Sequence, residues 1–357
     1  MNILVVSNSN WNLFNFRIGF IKYLASNHNV FIILSKNESQ YNFGKNITEL
    51  KIDGLERNRL NIVQIIRFIY QTNAHINDED IDVVFSFTFY ISSLLSLIRL
   101  CNTKNKFELR SVITGLGKLY TSKTFKNRIL FFIGILFLKY SEIIFTQNHF
   151  DKHYLNKYLD IKKIRVIPGS GIDIDKFSAR PTFKGDVIKF CYVGRLLKSK
   201  GVDIIVEAFN EFSKSFNAEL LIIGDYDSND KSFRLNNMSK NISHLGWTEE
   251  TKIYFEECHA SVLMSDREGL SKSLLESMSC STPIIAYGAP GVIDIFDSAK
   301  DKIGICVEDR SSTALYSAML KFAGLSDIEY LDMCSYSRDL IVTNYTSQIV
   351  NKKLQEI

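Results

Sequence analysis

No two of the six cysteines (Cys101, Cys191, Cys258, Cys280, Cys306 and Cys334) stand as C-x-x-C. Their scatter excludes the usual metal-ligand and disulfide-framework spacings and points to buried free thiols in a reducing cytosol. The opening MNILVVSNSNW lacks the basic segment and long apolar core of a secretory signal, and it reads as a first β-strand. A net charge of +4 is small, so nothing global argues for nucleic acid as a partner. Long apolar runs are missing as well. The longest, ILFFIGILFL at 129–138, is about half of a membrane span. Lys123, Lys126, Arg128 and Lys139 flank it. It is therefore either a buried helix or one that dips partly into a membrane surface with its cations near anionic headgroups.

Two cofactor signatures are also absent. A dinucleotide enzyme would show G-x-G-x-x-G after the first strand, whereas this chain has SNSNWNLFNFR, with no glycine before Gly19. There is no G-x-x-x-x-G-K-[ST] loop either. Asp225-Tyr226-Asp227 has the D-x-D spelling of a metal pair, but it follows Gly224 as a strand-end turn. No metal and no cofactor are expected.

What is present is a regular alternation. The 357 residues, 46% hydrophobic and 23% charged, suit two folded domains. Short apolar runs (NILVVS, VFIILS, IDVVFSF, SEIIFTQN) alternate with helical patterns such as FRIGFIKYLAS and IVQIIRFIYQTN. This predicts parallel sheets covered on both faces. Pro168, Gly169, Gly171 and Pro181 then break the composition, placing a domain junction at 167–181. The alternation restarts with VIKFCYVG, GVDIIVEAFNEF, AELLIIG, TKIYFEECH, ASVLMS and TPIIAY. The expected fold class is α/β, with two Rossmann-like doubly wound parallel-sheet domains, 1–170 and 182–339, facing a deep cleft. A C-terminal helix of about 340–357 is expected to pack back onto the first domain. Ligands bind outside the carboxyl ends of such strands.

Three clusters fall at those ends in the second half. In YVGRLLKSKGVD, Gly194 ends a strand, and Arg195 and Lys200 precede a helix with the apolar face Val202, Ile205, Val206 and Phe209. Two cations there suit a diphosphate, Arg as a fork and Lys as a point charge. Gly224 and Asp225 close the next strand. The third cluster is SDREGLSKSLLESMSCSTPIIAYGAPG, with Glu268 and Glu276 eight positions apart. One continuous helix would set these acids about 80° and ~12 Å apart, too far for a shared metal or a close acid/base pair. The spacing fits better if Glu268-Gly269-Leu270 is a loop and a helix begins at Ser271. Its free N–H groups would then receive an anion, with one acid before the terminus and one beside the first turns. Pro283, Gly288, Pro290 and Gly291 end the following strand in a tight turn.

Taken in order, EGLSKSLLE (E-x7-E), GRLLKSKGVD and PIIAYGAPGVID resemble the retaining glycosyltransferases of family 4, which have the GT-B fold. FNFR, TGLGKLY, IIFTQNHFD and IPGSGIDIDKF are similar to the subgroup that builds O-antigen, capsule and glycan chains on polyprenyl diphosphate. The resemblance covers nearly the whole chain. It implies that Glu268 contacts donor-sugar hydroxyls and Glu276 the ribose hydroxyls. It implies that Arg195 and Lys200 neutralise the departing diphosphate, and that the Gly269, Leu270 and Ser271 backbone meets the phosphates. Gly194, Gly224 and Asp225 complete the donor side.

The donor implied is a UDP-linked hexose or N-acetylhexosamine, with a GDP-linked sugar second. The acceptor implied is a polyprenyl-diphosphate-linked saccharide at the inner face of the cytoplasmic membrane. Asn8, Asn15, Arg17, Thr114, Gly115 and Lys118 are the acceptor-side candidates, Arg17 foremost because a carrier diphosphate needs a cation. Many relatives carry Gly where Ser281 and Tyr226 stand, and Thr114 replaces an acid or His found in parts of the family. A nucleotide-sugar 2-epimerase of the same fold and a non-catalytic nucleotide-sugar-binding subunit are the alternatives.

Overall fold

The computed structural model describes residues 1–39, 41–53, 55, 62–121, 124–178, 185–227 and 233–356. Strand β1 (Asn2–Val6) is buried at all but its first residue, as a central parallel strand covered on both faces must be. Beside it lie β2 (Asn29–Ser35), β3 (Ile47–Ile52), β4 (Val83–Phe87), β5 (Glu108–Ile113), β6 (Ile143–Thr146) and β7 (Ile164–Val166). They pair in parallel in the order β3-β2-β1-β4-β5-β6-β7. The chain runs outward from β1 to β3 and restarts at β4, so a switch point opens beyond the carboxyl ends of β1 and β4. The helices of this unit are α1 (Asn10–Asn12), α2 (Ile18–Ala25), α3 (Ile62–Asp78), α4 (Phe89–Cys101), α5 (Gly117–Thr121), α6 (Phe125–Leu138) and α7 (His149–Asn156). The expected helix FRIGFIKYLAS begins, at Phe16 and Arg17, inside a π-helical turn, Leu13–Arg17, that joins α1 to α2, a local widening common at functional sites.

The second sheet has six parallel strands: β8 (Ile188–Val193), β9 (Ala218–Ile223), β10 (Ile242–Gly246), β11 (Ala260–Leu263), β12 (Ile284–Tyr287) and β13 (Gly304–Val307). Their order is β10-β9-β8-β11-β12-β13, with the switch point between β8 and β11. Its helices are α8 (Val202–Phe212), α9 (Lys252–Glu257), α10 (Lys272–Ser279), α11 (Ile293–Asp297), α12 (Ser312–Ala323) and α13 (Asp327–Asn344), and the last helix, α14 (Ser347–Gln355), begins in this unit and ends in the first. The predicted apolar face of α8 is buried at Val202, Ile205, Val206 and Phe209. Burying each such side chain contributes roughly 1.5–3 kcal/mol.

The compact units are 1–170 with 351–357, and 171–350. The second is wider at both ends than the expected 182–339. Ile172 bridges to Thr346, and a Cβ on Gly171 would meet the Ser347 Cα at 2.5 Å, so these stretches pack on each other. Of the expected C-terminal helix, only 351–357 groups with the first unit, where Arg110 Nη1 donates to the Leu354 and Gln355 carbonyls at 3.0 and 2.9 Å. Pro181, at the end of the expected junction, and Lys123, beside the apolar run, lie outside the described residues. The six cysteines are free, but not all are buried: Cys101 is exposed and Cys306 only partly covered.

Ser281, where the family resemblance implies Gly in many relatives, sits in the left-handed region at φ +63° between α10 and β12. A side chain there costs about 1–2 kcal/mol, of which glycine's larger unfolded-state entropy returns about half. Ser281→Gly is therefore expected to stabilise the protein by up to about 1 kcal/mol, a rise of roughly 2–4 °C in a thermal melt. A lower Tm would show that the serine side chain makes a compensating contact.

Candidate functional site

In the second unit, the ends of β8 and β9 touch backbone to backbone. Gly194 N donates to the Ile223 carbonyl at 3.0 Å. Gly224 has φ +135°, and a Cβ on it would stand 1.9 Å from the Gly194 carbonyl oxygen, so only glycine fits. The Gly224 carbonyl is held by His244 Nε2 at 2.8 Å. The chain then continues in step on both sides, Leu196 N donating to the Asp225 carbonyl at 2.9 Å.

This junction presents Arg195, whose half-exposed guanidinium donates through Nη1 to Asp227 Oδ2 at 2.9 Å. The Arg195 carbonyl accepts from the Tyr192 hydroxyl at 2.7 Å. Burial, with the Glu268 charge nearby, pushes that phenol well above its usual range. It therefore stays a donor.

Lys200 follows on a short 3-10 turn, Lys198–Lys200. Gly201 at φ +68° lets this turn lie against β11's end, since a Cβ there would be 2.3 Å from the Met264 carbonyl. Lys200 Nζ reaches Glu268 Oε1 at 2.5 Å, and both side chains are largely covered, at 21% and 14% exposed. The two loops are stitched together by Asp266 N on the Ser199 carbonyl at 2.9 Å. Arg310, just beyond β13, adds three donors, to Met264 at 2.8 Å, Lys198 at 2.9 Å and Ser199 at 3.3 Å, all at carbonyls.

The Glu268 loop is gripped from its other side. Glu268 N donates to the Pro290 carbonyl at 3.0 Å. Gly291, at φ +81°, lies so close that a Cβ would stand 2.4 and 2.5 Å from the Glu268 and Gly269 carbonyls. Leu270 and Ser271 then lead into α10. Ser271 is its N-cap residue but makes no side-chain capping bond. The Ser271 side chain thus does not occupy the amino end of α10, where N–H groups and the helix dipole favour an anion.

Glu276 lies one turn into α10 from Lys272, 3.6 Å away, with 13% of its side chain exposed. Burial lifts its carboxyl above the ordinary 4.5, and Lys272 only partly opposes this. A raised carboxyl binds its proton more tightly in the folded state, so stability falls as pH rises from the ordinary value through the folded one. Glu276→Gln is expected to melt higher than wild type at neutral pH and to match it below about pH 4, where both forms are neutral. Parallel melting curves across pH would check this, and a Tm for the variant below wild type at neutral pH would contradict it.

The predicted donor-side residues thus meet in one place: Gly194, Gly224 and Asp225 through the backbone, Arg195 beside them, Lys200 on Glu268, and Gly269 under Gly291. Asp227, Tyr192, Arg310 and Gly291 hold them in position. Of these, Asp227 lay within a turn already singled out and Gly291 within a recognised bend. Tyr192 and Arg310 carried no local signal.

In the first unit, Asn8, Thr88, Thr114 and Thr146 stand at the carboxyl ends of β1, β4, β5 and β6, which are neighbours in the sheet. Asn8 Oδ1, Thr88 Oγ1 and Thr146 Oγ1 are buried without a hydrogen-bond partner. Thr88, at φ +81°, was not singled out from sequence. Arg17 closes the π-helical turn, 3% exposed. Its guanidinium lies 4.2 Å from the centre of the Phe87 ring and Nη1 donates to Ser170 Oγ at 3.0 Å, while Nε is buried without a partner. Burial brings its pKa down to about 9. Asn15 bonds back to the Trp11 carbonyl at 3.1 Å within its own turn. Gly115 has φ +127°, and the Lys118 side chain lies outside the described residues. Among the described residues, no group of three or more His, Cys, Asp or Glu could hold a metal ion.

Known structures share this two-sheet arrangement. Sucrose-phosphate synthase from Thermosynechococcus elongatus superposes with a TM-score of 0.81, covering 99% of this chain and 97% of its own at 14% identity. Anabaena HepE in complex with UDP-glucose gives 0.78, covering 99% and 98% at 13% identity. The fold is GT-B, the two-domain architecture of glycosyltransferases. Residues 173–337, within the second unit, match the family model described as Glycosyl transferases group 1.

Among related sequences, an uncharacterized glycosyltransferase of Methanocaldococcus jannaschii is 28% identical over 263 residues. That match covers 68% of this chain and just under two thirds of the relative, 66%. The Campylobacter jejuni N,N'-diacetylbacillosaminyl-diphospho-undecaprenol alpha-1,3-N-acetylgalactosaminyltransferase is 22% identical over 322 residues, 84% of each chain.

Proposed function

We propose that this chain is a retaining glycosyltransferase that moves a hexose or N-acetylhexosamine from a UDP-sugar to a polyprenyl-diphosphate-linked saccharide in bacterial surface polysaccharide synthesis. The observation that carries the reading is the Lys200–Glu268 pair set beside Arg195 and the amino end of α10. As the sugar–phosphate bond breaks, positive charge grows on the sugar and negative charge on the diphosphate. Fixed cations and N–H dipoles stabilise that negative charge more than the ground state, which is what accelerates a reaction. An ammonium has three donors, so Lys200 can keep Glu268 and still reach a phosphate oxygen. Arg195 forks onto the same group, and Glu268 accepts from donor-sugar hydroxyls.

Glu276 accepts from the ribose hydroxyls. Its burial is unfavourable in the empty protein and is repaid on binding by two charge-assisted hydrogen bonds, each about 1.5–3 kcal/mol. No metal is required by this arrangement. In the first unit, Arg17 offers its unpartnered Nε to the carrier diphosphate, with Asn8, Asn15, Thr114, Gly115 and Lys118 around the acceptor. The Campylobacter relative, named for a diphospho-undecaprenol acceptor, and HepE, solved with UDP-glucose, support this choice of substrates. A carrier of that kind places the work at the inner face of the cytoplasmic membrane.

The test is donor consumption across UDP- and GDP-linked sugars, with membrane extract as acceptor and with EDTA present or absent. One donor should be consumed only with the lipid acceptor, unaffected by EDTA and lost in Glu268→Ala. Consumption without any acceptor sugar, giving an epimerised product, would replace this reading with the epimerase. Absence of nucleotide-sugar binding would overturn both.

A further inference from the structure

We infer that the outer face of α6 docks on an anionic lipid bilayer, and that this face, with the end of α7, is the surface by which the first unit meets its lipid-linked acceptor. Helix α6 is apolar on both sides. Its inner face, Phe131, Gly134, Ile135 and Leu138, is buried. A Cβ on Gly134 would come within 2.9 Å of the Phe89 ring and Ser93 Oγ of α4, so the helix is seated as closely as it can be. The opposite side is no less apolar: Phe125 is 79% exposed, Leu136 62%, and Ile129, Leu130, Phe132 and Ile133 stand out beside them. At 100° per residue these six fall within about 160° of arc, one continuous stripe. A helix apolar all round belongs in a core or in lipid, and here only half of it has a core.

The stripe continues just past the end of α7, where the half-exposed Tyr158 ring meets Phe132 at 5.6 Å. Amphipathic rings of this kind favour the headgroup level.

The charge around the stripe selects the occupant. Exposed Arg128 stands about 40° outside one edge of the stripe, and exposed Lys126 stands at its amino end between Ile133 and Leu130. Lys139 closes the carboxyl end, and Lys157 and Lys162 stand exposed beyond α7. Residues 101–163 contain twelve Lys and Arg against four Asp and Glu, whereas the whole chain is only +4. The remainder of the protein is therefore net acidic when summed, and the segment that carries the apolar stripe holds an excess of eight basic residues. Apolar side chains fringed by cations match a bilayer with anionic headgroups, to which each nearby Lys or Arg is attracted. A protein partner of the same shape would need acids around an apolar groove, and a second copy of this chain would set these cations against themselves. Among the described residues no helix is long and apolar enough to cross a membrane, so the contact is one of lying on the surface.

This inference deepens the lipid-acceptor reading and rests on it for its purpose, but it is tested without turnover. Full-length protein is floated with vesicles of phosphatidylglycerol and phosphatidylethanolamine, and with phosphatidylcholine alone, at low and high salt. Wild type should bind the anionic vesicles at least about tenfold better than the neutral ones and lose that advantage in high salt. Ile133→Glu with Leu136→Glu should lower partitioning at least about tenfold, and Lys126→Glu with Arg128→Glu should do the same with no apolar contact changed. Both variants should keep the wild-type melting temperature and nucleotide-diphosphate affinity. Failure of wild type to bind anionic vesicles, or wild-type binding by both variants, would overturn the inference. So would self-association of the free protein that these substitutions abolish without any effect on vesicles. Vesicle binding that survives while no lipid-linked saccharide accepts sugar would overturn the functional reading and leave this surface standing.

Discussion

Lys200→Ala is expected to lower kcat/KM for donor turnover by about 10³-fold, with most of the loss in kcat. Two effects combine. Removing one fixed charge aimed at a departing oxyanion costs about 10²–10³ in rate. The substitution also takes the Lys200 cation from Glu268, only 14% exposed, and a largely covered carboxylate that loses a cation holds its proton more tightly or moves. Full burial would make that loss about 3–5 kcal/mol; solvent reaching the pair reduces it to roughly 1–2 kcal/mol. The two effects separate in a double variant. Adding Glu268→Gln to Lys200→Ala removes the stranded charge, so stability should return while activity stays down. Steady-state kinetics with parallel melts of the three variants checks this. Recovery of activity in the double variant would mean that Lys200 serves only to neutralise Glu268.

Gly291→Ala is expected to be nearly as severe without touching any charged group. Its backbone is left-handed, at φ +81°, and the added carbon would overlap the Glu268 and Gly269 carbonyls at 2.4 and 2.5 Å. Backbone cannot swing aside as a side-chain tip can, so the Glu268 loop must shift. A displacement of about 1 Å at a reacting centre costs on the order of 10²-fold in rate, and the conformational strain adds about 1–2 kcal/mol of destabilisation. Gly288→Ala, three residues earlier, is the control. Its new carbon would press on the Cys306 Sγ at 3.1 Å and an Ile293 methyl at 3.3 Å, both of which can yield, and would meet backbone only at an ordinary 3.9 Å, the Val307 carbonyl, so its activity should remain within a few-fold of wild type. Equal losses in the two variants would mean that the turn is merely rigid and does not position Glu268.

Much of this arrangement was legible in the sequence because it depends on local physics. Continuous apolar runs marked β1, β2, β4, β8 and β11, and the eight-residue spacing of Glu268 and Glu276, which fits a loop followed by a helix from Ser271, marked α10. The residues that hold the site together were not legible in the same way. Arg310 reaches carbonyls at 198, 199 and 264, contacts created by the strand order and not by any spacing. Asp227 has the spelling of a metal ligand, yet it pairs with a cation 32 positions away.

Other features were too short or too polar to announce themselves. Strand β7 has three residues, and edge strand β3, with the pattern Ile-Thr-Glu-Leu-Lys-Ile, is mostly uncovered. The π-helical turn at Leu13–Arg17 resembles ordinary helix in its side-chain pattern, and only backbone hydrogen bonding reveals it. Arg17 illustrates the difference well. Its residue type suggested an anion site, but its burial over Phe87 and its unpartnered Nε are properties of the folded chain alone.

The central claim is that Arg195, Lys200 and the amino end of α10 hold a nucleotide diphosphate. Calorimetric titration tests it most directly, with UDP and GDP each compared with its monophosphate, on wild type and Lys200→Ala. For the nucleotide that binds, the diphosphate should bind wild type at least about tenfold more tightly than the monophosphate, and Lys200→Ala should erase most of that difference. Equal affinities for mono- and diphosphate in wild type, or an undiminished difference in Lys200→Ala, would contradict the account.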